Sequence, residues 1–261
     1  MQSAKTNKPV KGIYHLTDQS YNMLAMSNSS VNLSTQTPLY LMVDTSTKNC
    51  SVAIAKASGI IHCQLWQTAY NPTSELLPNI ISSLAHMDLT LSRMSGIGVA
   101  IGPGGFSSIR TGISVVKGLK MGSGVPAVGF NTLEATAYQY MAMEKFITPV
   151  LAIGKGYFAW ADYQVVNLSL RLIGNQKVGS QDDMLAGKHS KTYYCGEGVP
   201  ILFENVDASL VKDSNVLPYH PEDRINGLTQ MVISYFSQNP GKSNHLSPIY
   251  LKEPSIGKKN S

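Results

Sequence analysis

The stretch from Gly98 to Gly122, GVAIGPGGFSSIRTGISVVKGLKMG, limits most strongly what this chain can fold into. A short apolar run (Ile97, Val99, Ala100, Ile101) leads into Gly102-Pro103-Gly104-Gly105, and a helical pattern starts directly behind it. Three glycines around a proline are costly to order, because glycine loses the most backbone entropy on folding. Such a loop has a use where backbone must come close to a ligand or to other backbone. Strand, tight loop and helix in that order belong to a layered α/β protein.

The helix behind the loop has two faces. Ile109, Ile113, Val116 and Leu119 form one apolar face; Thr111, Val115, Gly118 and Gly122 form a second, of mostly small residues. An interior glycine costs roughly 1 kcal/mol relative to alanine, so Gly112 and Gly118 imply close neighbours. A helix of this kind packs on its own sheet and on something else. On that ground the glycine loop reads chiefly as a packing device that lets a partner helix come close.

Its other reading is a phosphate cradle, with an anion held at the helix N-terminus. No Gly-Lys-Ser/Thr follows the loop, and it is not G-x-G-x-x-G. Asp44-Thr45-Ser46-Thr47, at a turn between two strand patterns, raises the same question. A carboxylate followed by hydroxyls can hold hydrated magnesium and phosphate. Equally, Asp44 can accept from a backbone N–H two residues on and simply shape the turn. Ser46 stands where a phosphate-binding turn prefers glycine.

Periodicity predicts strands over 39–43, 50–55 and 60–66, then a helix. In that helix Leu76, Leu77, Ile80, Ile81 and Leu84 recur, with Thr73 or Ser74 as cap. A strand at 97–101, a helix from about Ser107, and a strand at 127–130 follow. Asn131 with Glu134 three residues later then opens another helix as a capping box. The second half restarts with strands at 149–153, 157–166, 170–173 and 192–195, and a helix over 225–236 stopped by Asn239-Pro240-Gly241. Two related lobes are expected, over 38–145 and 146–261, the second ending in a flexible tail. Residues 1–37, polar and with Asp18 as their one acidic residue, read as a disordered extension. An initiation site at Met23 or Met26, or an organellar transit peptide, would each account for that extension.

Several function classes find little support. No apolar run approaches the roughly 20 residues that span a bilayer, so no membrane association and a cytoplasmic location are expected. The net charge of +5 comes from scattered lysines, with no arginine-rich stripe interleaved with aromatics. Cys50, Cys63 and Cys195 form no C-x-x-C and read as buried thiols in a reducing compartment. The six histidines include no H-x-x-x-H pair, so no metal site is expected. There is no G-x-S-x-G nucleophile elbow.

Six segments taken together resemble the TsaB family of bacterial threonylcarbamoyladenosine-biosynthesis proteins. They are Asp44-Thr45-Ser46-Thr47 with Ser51-Val52-Ala53, Leu76-Leu77-Pro78, Gly102-Pro103-Gly104-Gly105-Phe106-Ser107, Arg110-Thr111-Gly112 with Lys117-Gly118-Leu119, Thr132-Leu133-Glu134, and Pro248-Ile249-Tyr250-Leu251. The resemblance covers roughly residues 39–252, and the glycine-loop segment is shared mainly with the TsaD paralogues. It implies a two-lobed α/β protein with the actin-like ATPase fold (ASKHA, ribonuclease H-like), its mixed sheets flanked by helices. It also implies a non-catalytic scaffold and activator. The partner would be a TsaD-like transferase, which moves threonylcarbamoyl from its adenylate to an adenosine beside the tRNA anticodon. A TsaE-like ATPase joins the assembly. ATP and magnesium are used by the complex, with no cofactor held by this chain, and tRNA is met through the complex. Alone, the chain would form a homodimer.

TsaD proteins carry metal-binding histidines in H-x-x-x-H, and this sequence has none. The family's partner surface falls on the first-lobe helices, here about 75–86 and 107–121. Candidate partner residues are thus Leu77, Ile80, Ile81, Leu84, Thr111, Val115, Gly118 and Gly122. Asp44, Thr45, Ser46, Gly104 and Gly105 become a vestigial nucleotide or phosphate site. Two departures bear on that site. Many members carry a histidine where this chain has Asn71-Pro72-Thr73, and an Asp-Ala-Arg-like segment is shortened here to Ile153-Gly154-Lys155-Gly156. The alternatives are an ATP-dependent phosphotransferase or ATPase using Asp44, Thr45 and the 102–105 loop, and a glycoprotease-like peptidase. The missing histidine pair argues against the peptidase.

Overall fold

Two sheets of five strands share one strand order in a computed structural model that describes residues 37–68, 72–143, 145–154, 156–186, 192–204 and 215–251. Residues 1–36 of the expected extension, Asn71, Lys155 and the expected tail from 252 onward lie outside the described residues. The first sheet comprises β1 (Tyr40–Asp44), β2 (Asn49–Lys56), β3 (Gly59–Gln67), β4 (Gly96–Ala100) and β5 (Ala127–Phe130). Its order is β3-β2-β1-β4-β5. The second comprises β6 (Phe146–Gly154), β7 (Tyr157–Val166), β8 (Ser169–Gly179), β9 (Thr192–Cys195) and β10 (Asn215–Val216), in the order β8-β7-β6-β9-β10.

In each sheet the first three strands form an antiparallel meander and the last two run parallel to the first. Parallel neighbours need a crossover connection. In the first half α1 (Pro72–His86) and α2 (Phe106–Ser123) provide it. The remaining helices are α3 (Thr132–Tyr138), α4 (Gln181–Ala186), α5 (Gly198–Leu202) and α6 (Asp223–Gln238).

The first sheet is covered on both faces, and its central strands β1 and β4 are accordingly apolar up to Asp44 at the end of β1. On one face Leu76, Ile80 and Leu84 of α1 and Ile109, Ile113 and Val116 of α2 pack against Leu41, Val43, Ile54, Ile97 and Val99. On the other, Ile225, Leu228, Met231, Val232 and Phe236 of α6 pack against Tyr40, Met42, Ala53 and Val128. Strand β4 reads Gly96-Ile97-Gly98-Val99, and its glycines face α6. A Cβ at Gly96 would collide with the Phe236 ring, and one at Gly98 with the Val232 side chain. α6 therefore lies directly on the β4 backbone, and a helix reached only after the second sheet forms a layer of the first.

Element ends differ from expectation in places. α1 begins at Pro72, ahead of the expected Thr73 or Ser74 cap. Proline suits the first turn because its missing N–H would have no helical acceptor there. Strand β8 continues to Gly179, beyond the expected end at Ile173. Asn131 does cap α3: its Oδ1 accepts from the N–H groups of Leu133 (2.9 Å) and Glu134 (3.1 Å).

Candidate functional site

Asp44 is the last residue of β1 and is fully buried. Its Oδ1 accepts from the Ser46 backbone N–H (2.8 Å) and the Ser46 hydroxyl (2.5 Å), closing the turn between β1 and β2. Its Oδ2 is ion-paired with Nε of Arg224, in the first turn of α6. The same guanidinium reaches Glu197 Oε2 at 3.1 Å, and its Nη2 donates to Thr47 Oγ1 (2.9 Å) and to the Asn49 carbonyl (2.8 Å). Asn49 Nδ2 in turn donates to Glu197 Oε2 (2.8 Å). Glu197 follows β9 of the second sheet, so the network ties the two halves together through three buried charged groups.

A charge removed from water is costly unless it is paired and hydrogen-bonded. Burial acts to lower the Arg224 pKa, but the Asp44 and Glu197 carboxylates together outweigh it, and the pKa stands above its ordinary value. The guanidinium is a permanent cation between two carboxylates. Cys50 lies nearby, its thiol pushed up to about 12 by burial and then by the Asp44 charge. Cys63 is likewise pushed up to about 12 by burial.

The glycine loop meets the same turn. Gly105 donates its N–H to the Ser46 carbonyl (2.7 Å), and Thr45 Oγ1 donates to the Ser108 carbonyl (2.7 Å). A Cβ at Gly104 would run into that Ser46 carbonyl, and one at Gly112 into Thr45 Oγ1. Asp44, Thr45, Ser46, Gly104 and Gly105 thus come together, but they are turned on one another. The Ser46 N–H and hydroxyl, which would face a phosphate, face Asp44. The loop's close neighbour is the Ser46 backbone of this same chain, which corrects the expectation of a partner helix at the loop.

The outer surface of α1 and α2 is different. Leu77 and Ile81 are exposed by 41% and 58%, and Met121 by 86%. A Cβ at Gly118 or Gly122 would meet nothing within 4 Å, and both glycines are exposed. Thr111 and Val115 are half-buried beside them, Thr111 sharing a 3.0 Å hydrogen bond with Thr73 of α1. Ile80 and Leu84, expected on this partner face, are instead core residues, 1% and 8% exposed. The helical period explains the correction: residues 76, 80 and 84 share the inward stripe, and 77 and 81 lie one step, about 100°, further round.

Two residues of the buried network are not evident in the sequence. Glu197 looks like part of a Gly-Glu-Gly strand ending, and Arg224 sits just ahead of the periodic run of α6. Neither carries a motif, and each depends on a contact more than a hundred residues away. Met121 had a signal, its i+3 spacing from Gly118. Among the described residues there is no group of three or more His, Cys, Asp or Glu side chains able to hold a metal, and no helix long and apolar enough to cross a membrane.

Residues 67–211, more than half the chain, match the model of the tRNA N6-adenosine threonylcarbamoyltransferase family, TsaD. The tRNA threonylcarbamoyladenosine biosynthesis protein TsaB of Escherichia coli (strain K12) is 31% identical over 129 residues, 48% of this chain and 54% of that protein. The protein of the same description from Haemophilus influenzae is 24% identical over 235 residues, 84% of this chain and 95% of that one. Among solved structures, YeaZ from Pseudomonas aeruginosa superposes with a TM-score of 0.63 at 20% identity, covering 82% of this chain and all of the other. That likeness gives the fold: the two mixed sheets and their helices form the actin-like, ASKHA-type architecture. The family match over 67–211 and the recurrence of one description among the relatives lead to one assignment: the chain belongs to the TsaB family, kin to the TsaD transferases.

Proposed function

We propose that this chain is a non-catalytic subunit that docks and activates a TsaD-type transferase during threonylcarbamoyl modification of tRNA in the cytoplasm. The observation that carries the reading is a contrast between two surfaces. At the end of β1, both Asp44 oxygens and the Ser46 donors are engaged within the chain. On α1 and α2, by contrast, Leu77, Ile81 and Met121 are exposed, and so are Gly118 and Gly122. Apolar side chains next to glycine offer a close seat for another helix, and clustered exposed apolar residues mark protein contacts. The family's description places such proteins in threonylcarbamoyladenosine synthesis. Its kinship with TsaD supports a transferase as the partner.

On this reading ATP and magnesium serve the complex, through a TsaE-like ATPase and the transferase, and tRNA is met there. In the absence of a partner the same face pairs with a second copy. Reconstitution tests the proposal. The transferase homologue of the same genome, supplied with tRNA, threonylcarbamoyl-adenylate and the TsaE-like ATPase, should form product efficiently only when this chain is added. This chain alone should form none. Transferase activity that is indifferent to its addition would overturn the reading. Tight magnesium-dependent ATP binding by the isolated chain, lost in Asp44→Ala, would instead support the phosphotransferase alternative.

A further inference from the structure

Near the start of α2, Arg110 is an exposed residue whose side chain is nevertheless held firmly. Its guanidinium lies over the Phe106 ring, 3.9 Å from the centroid, with the Tyr250 ring on another side at 5.6 Å. The two rings themselves are 4.8 Å apart. Arg110 Nε donates to Tyr250 Oη at 2.7 Å. Tyr250 is anchored in turn, because the neighbouring Ile249 N–H donates to the Ile101 carbonyl at the mouth of the glycine loop (2.8 Å). An arginine stacked in this way has lost rotamer freedom before any ligand arrives. Its terminal amino groups keep the fork geometry that matches a carboxylate. Among the described residues no carboxylate lies within ion-pair distance of it.

Position decides what such a group is for. Counting along α2 at 100° per residue, Arg110, Ser114, Gly118 and Met121 fall on one stripe, and all four are exposed. The arginine thus ends the same line of residues that supplies the small-residue seat and the Met121 knob. α2 contains no acidic residue, and its charged side chains are Arg110, Lys117 and Lys120. The outward face of the helix is therefore basic as well as apolar at its ends.

We propose that Arg110 is the ionic anchor of the docking face, receiving a carboxylate from an acidic side chain of the protein seated on α1 and α2. This rests on the reading that a transferase subunit docks there, and it adds where the contact is charged and what chemistry the partner must present. Phe106 and Tyr250 are positioning residues that hold the guanidinium ready. Arginine and tyrosine are both enriched among the residues that dominate binding energy at protein interfaces.

The test measures the dissociation constant of the full chain with the transferase homologue of the same genome, by titration calorimetry, at low salt and at about 0.5 M NaCl. Arg110→Gln should weaken binding by at least about ten-fold at low salt, while the melting temperature drops by no more than about 5 °C for the lost ring stack and hydrogen bond. The deficit should shrink in high salt, and Arg110→Lys should recover part of the affinity. Tyr250→Phe should fall between. If Arg110→Gln binds as the wild type does while Ile81→Glu does not, the anchor is refuted and the docking face stands. If Ile81→Glu also binds normally, the docking reading fails, and the anchor with it. If Arg110→Gln binds the transferase normally but binds tRNA less well, the arginine serves a nucleic-acid phosphate, and the proposal is overturned.

Discussion

Arg224 and Asp44, 180 residues apart, form a buried ion pair that joins the first turn of α6 to the last residue of β1. Around it close Glu197 from the second half and the carbonyl and hydroxyl of the β1–β2 turn. In open α/β sheets ligands bind outside the carboxyl ends of the strands, and Asp44 lies at such an end. Here a side chain of the chain itself occupies the carboxylate.

Removing one member of a buried pair leaves the other charge uncompensated, at a cost of about 3–5 kcal/mol. Arg224→Met is therefore expected to lower unfolding free energy by about that amount in urea titrations. Asp44→Leu combined with Arg224→Met should recover part of the loss, although Glu197 remains. A loss below about 1 kcal/mol for Arg224→Met would mean that water reaches the network.

The glycines of the loop and helix should respond in opposite directions. Gly104→Ala forces a methyl group against the Ser46 carbonyl and should lower the melting temperature. Gly118→Ala meets nothing within 4 Å and should raise stability by up to about 1 kcal/mol, the helix-propensity difference. Thermal melts of the isolated chain compare the two.

Neighbours on α1 should part just as clearly. Ile80→Ala deletes a core side chain and should cost about 2–5 kcal/mol. Ile81→Ala, at an exposed position, should stay within about 0.5 kcal/mol. Denaturant midpoints measure both.

Cys50 predicts a pH dependence. Its thiol is pushed up to about 12 in the fold, from an ordinary value of 9.0. Between those values the unfolded chain releases the proton and the native state keeps it. The stability this thiol contributes is thus complete below about pH 9 and is lost as pH rises towards 12, by up to about 1.4 kcal/mol per unit. Cys50→Ala should flatten the fall in unfolding free energy between pH 8 and 10.5 relative to the wild type. Parallel slopes would contradict the assignment.

Much of this molecule is legible in its sequence wherever periodicity or local turn chemistry determines the outcome. The β1–β3 meander, the α2 stripe of Ile109, Ile113 and Val116, and the Asn131 cap all depend on residues within a few positions of one another. Asp44 is legible only as a turn residue, since its second partner is Arg224 in α6. The side of α1 that holds Ile80 cannot be told from the side that holds Ile81 by hydrophobicity, because both are isoleucine. Only the register of the helix on the sheet separates them. That α6 lies on Gly96 and Gly98 of β4 is equally invisible, as glycine in a strand announces a close approach without naming the neighbour.

If the open side of α2 seats a partner helix, leucine at position 118 should block it, so Gly118→Leu is the decisive variant. Binding of the wild-type and variant chains to the transferase homologue should be measured by titration calorimetry, alongside thermal melts. The melting temperature should stay at or above that of the wild type, because the position is open and solvent-exposed, while affinity falls by at least about a hundred-fold. An unchanged dissociation constant with leucine at this position would contradict it.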